Sequence, residues 1–338
     1  MLTKSLSVLA LVGAVAVVAQ QANNNNPQIT DVDILNYALT LEHLEDAFYR
    51  GALEKFDNAT FNGAGLNLAL FQQISQHEAS HVAFLTTALG PNATQACNYS
   101  FPYTDVKSFV ALSMILEGVG TSAYLGAAAL IQNKQYLTAA GSILTTEARH
   151  AAWISSSENG EEPWSGALDV PLSLNEVFSL AAPFIVSCPS TNPKLPVKAF
   201  PVLNVTSSSY SAGGPINLAL DTSGQSGQLF VVFFSGLTQT VVALNGGSAT
   251  IPSALDGAGT VYIVVTNANA TVTDENTVAG PAILMFPNVT TKVENTGTQG
   301  STVSGGTNAS KSGSEGRGQM SLVLSVFAAL LGAFALFM

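Results

Sequence analysis

Glu78-Ala79-Ser80-His81 and Glu147-Ala148-Arg149-His150 carry one pattern twice, and each is preceded by a lone glutamate after a leucine, Leu41-Glu42 and Leu116-Glu117. A glutamate and a histidine three positions apart share a helix face, so each pair aims a carboxylate and an imidazole in one direction. The repeat runs further. Tyr49 and Gly51-Ala52 follow Glu42 just as Tyr124 and Gly126-Ala127 follow Glu117. Seven residues are two helical turns, which puts each tyrosine on its glutamate's face, within reach of a metal-bound carboxylate.

An isolated Glu-x-x-His on a helix is usually a solvated face. Here the chain is only 10% charged, and the carboxylates interrupt apolar stretches such as Val110 to Leu116 and Ala139 to Leu144. A carboxylate among buried apolar groups is costly unless it is paired or bound to metal. One lone glutamate from each of two helices with one Glu-x-x-His from each of two others is the donor set of bundles that hold two iron or two manganese ions. The candidate ligands are therefore Glu42, Glu78, His81, Glu117, Glu147 and His150, with Tyr49 and Tyr124 behind them. Glu45, one turn from Glu42, is an alternative donor on the first helix. Carboxylate and imidazole suit iron and manganese alike. His77-Glu78-Ala79-Ser80-His81 also fits the H-E-x-x-H pattern of zinc proteases, but that reading lacks a third ligand and leaves the second half-site unused.

Proline spacing sets the architecture. None occurs between Pro27 and Pro91 or between Pro102 and Pro163, so each stretch has room for two helices, about 31–56 with 65–89 and about 105–132 with 135–157. A shorter apolar helix is expected near Leu174 to Val186, on the outside or end of the bundle. The connection from Gly90 to Thr104 reaches ~50 Å when extended, enough to cross the length of helices of ~35 Å. From about Leu195 the runs Leu229 to Phe234, Val261 to Val265 and Ile283 to Phe286 are short, β-branched and aromatic, separated by Gly, Asn and Ser. The sequence thus predicts an α+β multidomain chain: a four-helix bundle over 28–190, an antiparallel β-sandwich of roughly seven strands over 195–290 acting as a packing module, and a disordered Ser/Thr/Gly-rich stalk over 294–320.

Residues 1–19 read as a secretory signal peptide, and the apolar tail 322–338 after small residues reads as a removable lipid-anchor signal with attachment at Asn308 or Ser312. Sequons at Asn58, Asn92, Asn98, Asn204, Asn269, Asn288 and Asn308 agree with that route. Cys97 and Cys188 are the only cysteines, and an oxidising compartment permits one bridge between them. The expected location is the extracellular face of the plasma membrane or the cell wall. A net charge of −11 with few basic residues argues against nucleic acid.

Three segments, Asn36 to Glu45, Glu78 to Leu85 and Ala182 to Pro189, resemble the ferritin-like proteins of fungi and plants that include stress-response, late sexual development and desiccation-related proteins. The resemblance covers about residues 30–190 and implies a ferritin-like fold. Within the wider group it implies that Glu42 and Glu117 are terminal carboxylate ligands, Glu78 and Glu147 bridging ones, and His81 and His150 terminal imidazoles. The expected function is a cell-surface dinuclear iron or manganese oxidoreductase acting on dioxygen or peroxide in stress or development. The rival is a non-enzymatic surface or wall protein using the bundle as scaffold. A glycosylated bundle with a fused β-domain and an anchor is not expected to close into a storage shell.

Overall fold

The computed structural model describes residues 29–287. The readings placed on 1–19, Asn288, 294–320, Asn308, Ser312 and 322–338 lie outside those residues.

Four long helices form the bundle: α1 Asp31–Lys55, α3 Leu68–Leu89, α4 Val106–Ala128 and α5 Lys134–Trp153, with a short α2 Asn58–Gly63 between the first two. Local chemistry sets their starts. Thr30 and Asp33 cap α1 reciprocally, Asp105 and Ser108 do the same for α4, and Asn133 accepts from the first turn of α5. Gly90, at φ 56°, ends α3 in a backbone conformation that favours glycine. The expected break at Asp57-Asn58 instead opens α2, because Asp57 caps it through Thr60 N–H and Phe61 buries on its inner side.

Contacts fix the directions. Leu35 and Leu39 of α1 meet Leu85 and Leu89 of α3, so α1 and α3 are antiparallel. The segment 90–105 then runs along the bundle. Its alternating Tyr99, Phe101 and Tyr103 stack in series, with Phe101 and Tyr103 both set against Phe48 of α1. Strand β1 Asn98–Tyr99 pairs with β2 Ile185–Ser187, and Cys97 and Cys188 are joined beside it.

Helix α4 is long and apolar enough to cross a membrane, yet 83% of that apolar window is buried inside the protein. It is apolar all round because it is enclosed: α1 and α5 flank it, and α6 Leu174–Ala181 and the sheet cover its outer side. Gly126 lets the following chain come close. A Cβ there would lie 1.8 Å from the Leu172 carbonyl oxygen.

The β-region has seven strands, β3 Asn204–Val205, β4 Pro215–Ala219, β5 Leu229–Ser235, β6 Thr238–Leu244, β7 Ser248–Thr250, β8 Gly259–Thr266 and β9 Thr277–Phe286. They form a three-stranded sheet β3-β4-β7 and a four-stranded antiparallel sheet β6-β5-β8-β9. Val231, Phe233, Val261 and Ile263 face the smaller sheet, while Val232, Phe234, Tyr262 and Val264 face Val119 and Ala123 of α4 and Val177 of α6. Burial on both faces explains why β5 and β8 read as unbroken apolar runs rather than as alternations. Helix α6 lies on the outside of the bundle, as expected, where the sheet also covers it, and it stops at Ala181 ahead of Pro183 rather than running on to Val186.

Candidate dinuclear metal centre

The repeated motif converges in the middle of the bundle. Helix α1 supplies Glu42, α3 supplies Glu78 and His81, α4 supplies Glu117, and α5 supplies Glu147 and His150. All four carboxylates are 0% exposed. Their donor atoms form two groups, Glu42, Glu78, His81 and Glu147 on one side and Glu78, Glu117, Glu147 and His150 on the other, each within 4.8 Å internally. Glu78 and Glu147 belong to both groups, as ligands that bridge two ions would.

The contacts of the imidazoles show what the cage is shaped for. His81 Nδ1 lies 3.2 Å from Glu42, 3.1 Å from Glu78 and 3.2 Å from Glu147. His150 Nδ1 lies 3.1 Å from Glu117 and 3.2 Å from Glu78. One N–H cannot satisfy three carboxylates from three helices. Glu78 Oε1 and both oxygens of Glu147 are buried without a hydrogen-bond partner, although Glu78 Oε1 and Glu147 Oε1 stand at ion-pair distance from the imidazoles. Unpartnered carboxylate oxygens facing imidazole nitrogens fit a pair of divalent cations, whose charge four carboxylates would balance.

Electrostatics agree. Burial pushes Glu42 up to about 7 and holds Glu147 and Glu45 well above the usual carboxylate range. Glu78 is also pushed up by burial, but the facing imidazoles of His150 and His81 prevail and bring it to about 2. Burial works to lower His81, and the facing carboxylates of Glu147, Glu42 and Glu78 reverse this to about 12; His150 rises to about 9 through Glu117 and Glu78. Glu42 and Glu147 are thus the carboxylates that burial and their like-charged neighbours drive toward protonation when no cation balances them.

Tyr49 on α1 donates to Glu117 on α4, and Tyr124 on α4 donates to Glu42 on α1. Both phenols are held in their protonated, donor form, first by burial and then by the facing glutamate. Ser113 Oγ donates to the Tyr49 oxygen at 2.7 Å.

Two placements bear on the alternatives that the sequence left open. His77 stands outside both donor groups, with Nδ1 at 2.9 Å from His150 Nε2 and Nε2 at 3.0 Å from Gln73. This arrangement disfavours the H-E-x-x-H zinc reading, because His77 and His81, four positions apart on α3, aim at different partners. Glu45 also falls outside both groups and packs beside Glu147; a Cβ at Gly120 would lie 3.0 Å from Glu45 Oε1 and 3.2 Å from Glu147 Oε2. The contributions of His77, Ser113 and Gly120 escaped the sequence, since spacing marks ligands but not what stands behind them.

The glycosylation candidates Asn58, Asn92, Asn98 and Asn269 are exposed, whereas Asn204 is half-buried in β3. Asn58 opens α2, and Asn98 lies in β1.

Fold and cage together define a ferritin-like domain, and residues 30–159 match the family of that description. Among known proteins, the chain is similar to Protein rds1 of Schizosaccharomyces pombe, 31% identical over 180 residues that make up 52% of this chain and 44% of that relative. The aligned part thus spans less than half of the relative's length.

Proposed function

We propose that this protein is a dinuclear iron or manganese oxidoreductase acting on dioxygen or peroxide in stress or development. The observation that carries the reading is the pair of donor groups sharing Glu78 and Glu147, with three of the shared carboxylate oxygens buried and unpartnered. Glu42 and His81 would hold one ion, Glu117 and His150 the other, and the two shared glutamates both. Such a metal pair, when bound, would supply electrons in twos for reduction of dioxygen or peroxide. The chain's own part is to hold the carboxylates in place through Tyr49 and Tyr124, to keep water out by enclosing the cage, and to link His150 to the surface side through His77 and Gln73. The Cys97–Cys188 bridge supports an extracellular setting, at the cell surface or wall.

The test is anaerobic loading with ferrous ions followed by dioxygen or hydrogen peroxide. Oxidation faster than that of free ferrous ions, and lost in Glu147→Ala, is expected. Ions held without reaction toward either oxidant would instead make the bundle a metal-bound scaffold.

A further inference from the structure

The two half-sites are alike in their ligands and unlike in their surroundings. Behind Tyr49, the Glu117 side is filled by rings: Phe48 at 5.2 Å and Phe109 at 5.9 Å, with Phe71 at 5.2 Å from Phe109 and 5.1 Å from Trp153. Its contact toward solvent is polar, through His77 and Gln73.

Behind Tyr124, the Glu42 side holds a cavity of about 30 Å³ where α1, α3, α4 and α5 meet. Its walls are aliphatic side chains and the rings of Phe84 and three tyrosines, with no charged residue among them. Tyr124 forms part of the wall and donates to Glu42, so one hydrogen-bonded side chain separates the cavity from a candidate ligand. Phe84 also lines it and is 49% exposed, which places that ring at the boundary with solvent. A water molecule needs only roughly 10–15 Å³ but also two to four polar partners, and apolar cavities that lack them stay dry and take up apolar guests such as xenon. Hydrogen peroxide has the same need for partners as water. Dioxygen is small, apolar and free of that need.

We propose that this cavity is the dioxygen-binding site of the centre, with Phe84 at its mouth and Tyr124 at its inner end. The proposal rests on the metal reading above and deepens it, because it selects dioxygen over peroxide and the Glu42 half over the Glu117 half as the side of arrival.

Xenon NMR on the full chain reads the cavity independently of metal. A saturable xenon shift is expected in the wild type and is lost in Ala123→Leu, which fills the cavity from α4, and in Ala140→Phe, which fills it from α5. With two variants on separate helices, each checked by circular dichroism, a folding failure of one leaves the other to decide. After anaerobic ferrous loading, both variants keep their metal content, are oxidised by dioxygen about tenfold more slowly, a barrier increase of roughly 1.4 kcal/mol, and react with hydrogen peroxide at the wild-type rate. Absence of the xenon shift, or equal slowing toward both oxidants, overturns the proposal. A wild-type chain that holds no metal defeats the metal reading itself, and the assignment to dioxygen falls with it even if xenon binds.

Discussion

Tyr49 and Glu117 meet across the bundle, and Tyr124 and Glu42 mirror them. Each tyrosine shares a helix with one terminal glutamate yet bonds the other. Side chains on a helix lean toward its N-terminus. On α1, Glu42 leans away from Tyr49 while Tyr49 leans back; on antiparallel α4, Glu117 leans along the direction in which Tyr49 lies. The crossed bonds therefore tie the two halves into one unit.

Removing either hydroxyl, in Tyr49→Phe or Tyr124→Phe, takes a donor from a fully buried carboxylate. Each change is expected to lower metal affinity by about tenfold or more and to destabilise the metal-loaded protein by about 1–3 kcal/mol. Competition with a chelator and urea unfolding measure the two effects. Unchanged affinity in both variants would remove the tyrosines from the account.

Gly126 and Gly141 make a matched pair of helical glycines. A Cβ at Gly126 would overlap the Leu172 carbonyl, whereas one at Gly141 meets nothing within 4 Å. Gly126→Ala should cost about 3 kcal/mol or more by displacing the chain around Leu172, and Gly141→Ala should stabilise by about 0.5–1 kcal/mol. Thermal unfolding of the two variants compares them directly.

Glu176 closes the capping box of α6 by accepting from Ser173 N–H at 2.7 Å. Burial first, and Asp274 second, raise it from 4.5 to about 7; Tyr37 faces the same two acids. The folded state therefore holds this proton more tightly than the unfolded one. Its stabilising contribution is fully present below about pH 4.5 and is lost as pH rises through about 7. Glu176→Gln should remove a pH-dependent difference of roughly 3 kcal/mol across that window, read by urea unfolding at a series of pH values. Parallel stability profiles for variant and wild type would contradict it.

Much of the helical domain was legible because its ligands impose a period: Glu and His three apart, in apolar stretches nearly free of charge, admit few readings other than an inward-facing cage. The β-strands were legible for a related reason, since Leu229 to Phe234 and Val261 to Val265 have no polar face to expose. Less legible was whatever depends on two distant segments meeting. The place of α6 between α4 and the four-stranded sheet follows from the sheet's outer face, and no local signal marks that face as a docking surface. His77 looked like a ligand in the H-E-x-x-H pattern, and only the approach of α5 gives it His150 as partner. The connection from Gly90 to Thr104 was legible only as a length that could span the bundle; that its Phe101 and Tyr103 set against Phe48 depends on where the crossover runs.

Metal content after native purification, by plasma emission spectrometry on the wild type, His77→Ala, Glu147→Ala and His150→Ala, tests the centre most directly. The donor set predicts about two iron or manganese ions per wild-type chain. His77→Ala should stay near that value, Glu147→Ala should lose both ions with their shared carboxylate, and His150→Ala should weaken one. One zinc per chain, emptied by His77→Ala and retained by the other two variants, would contradict the account.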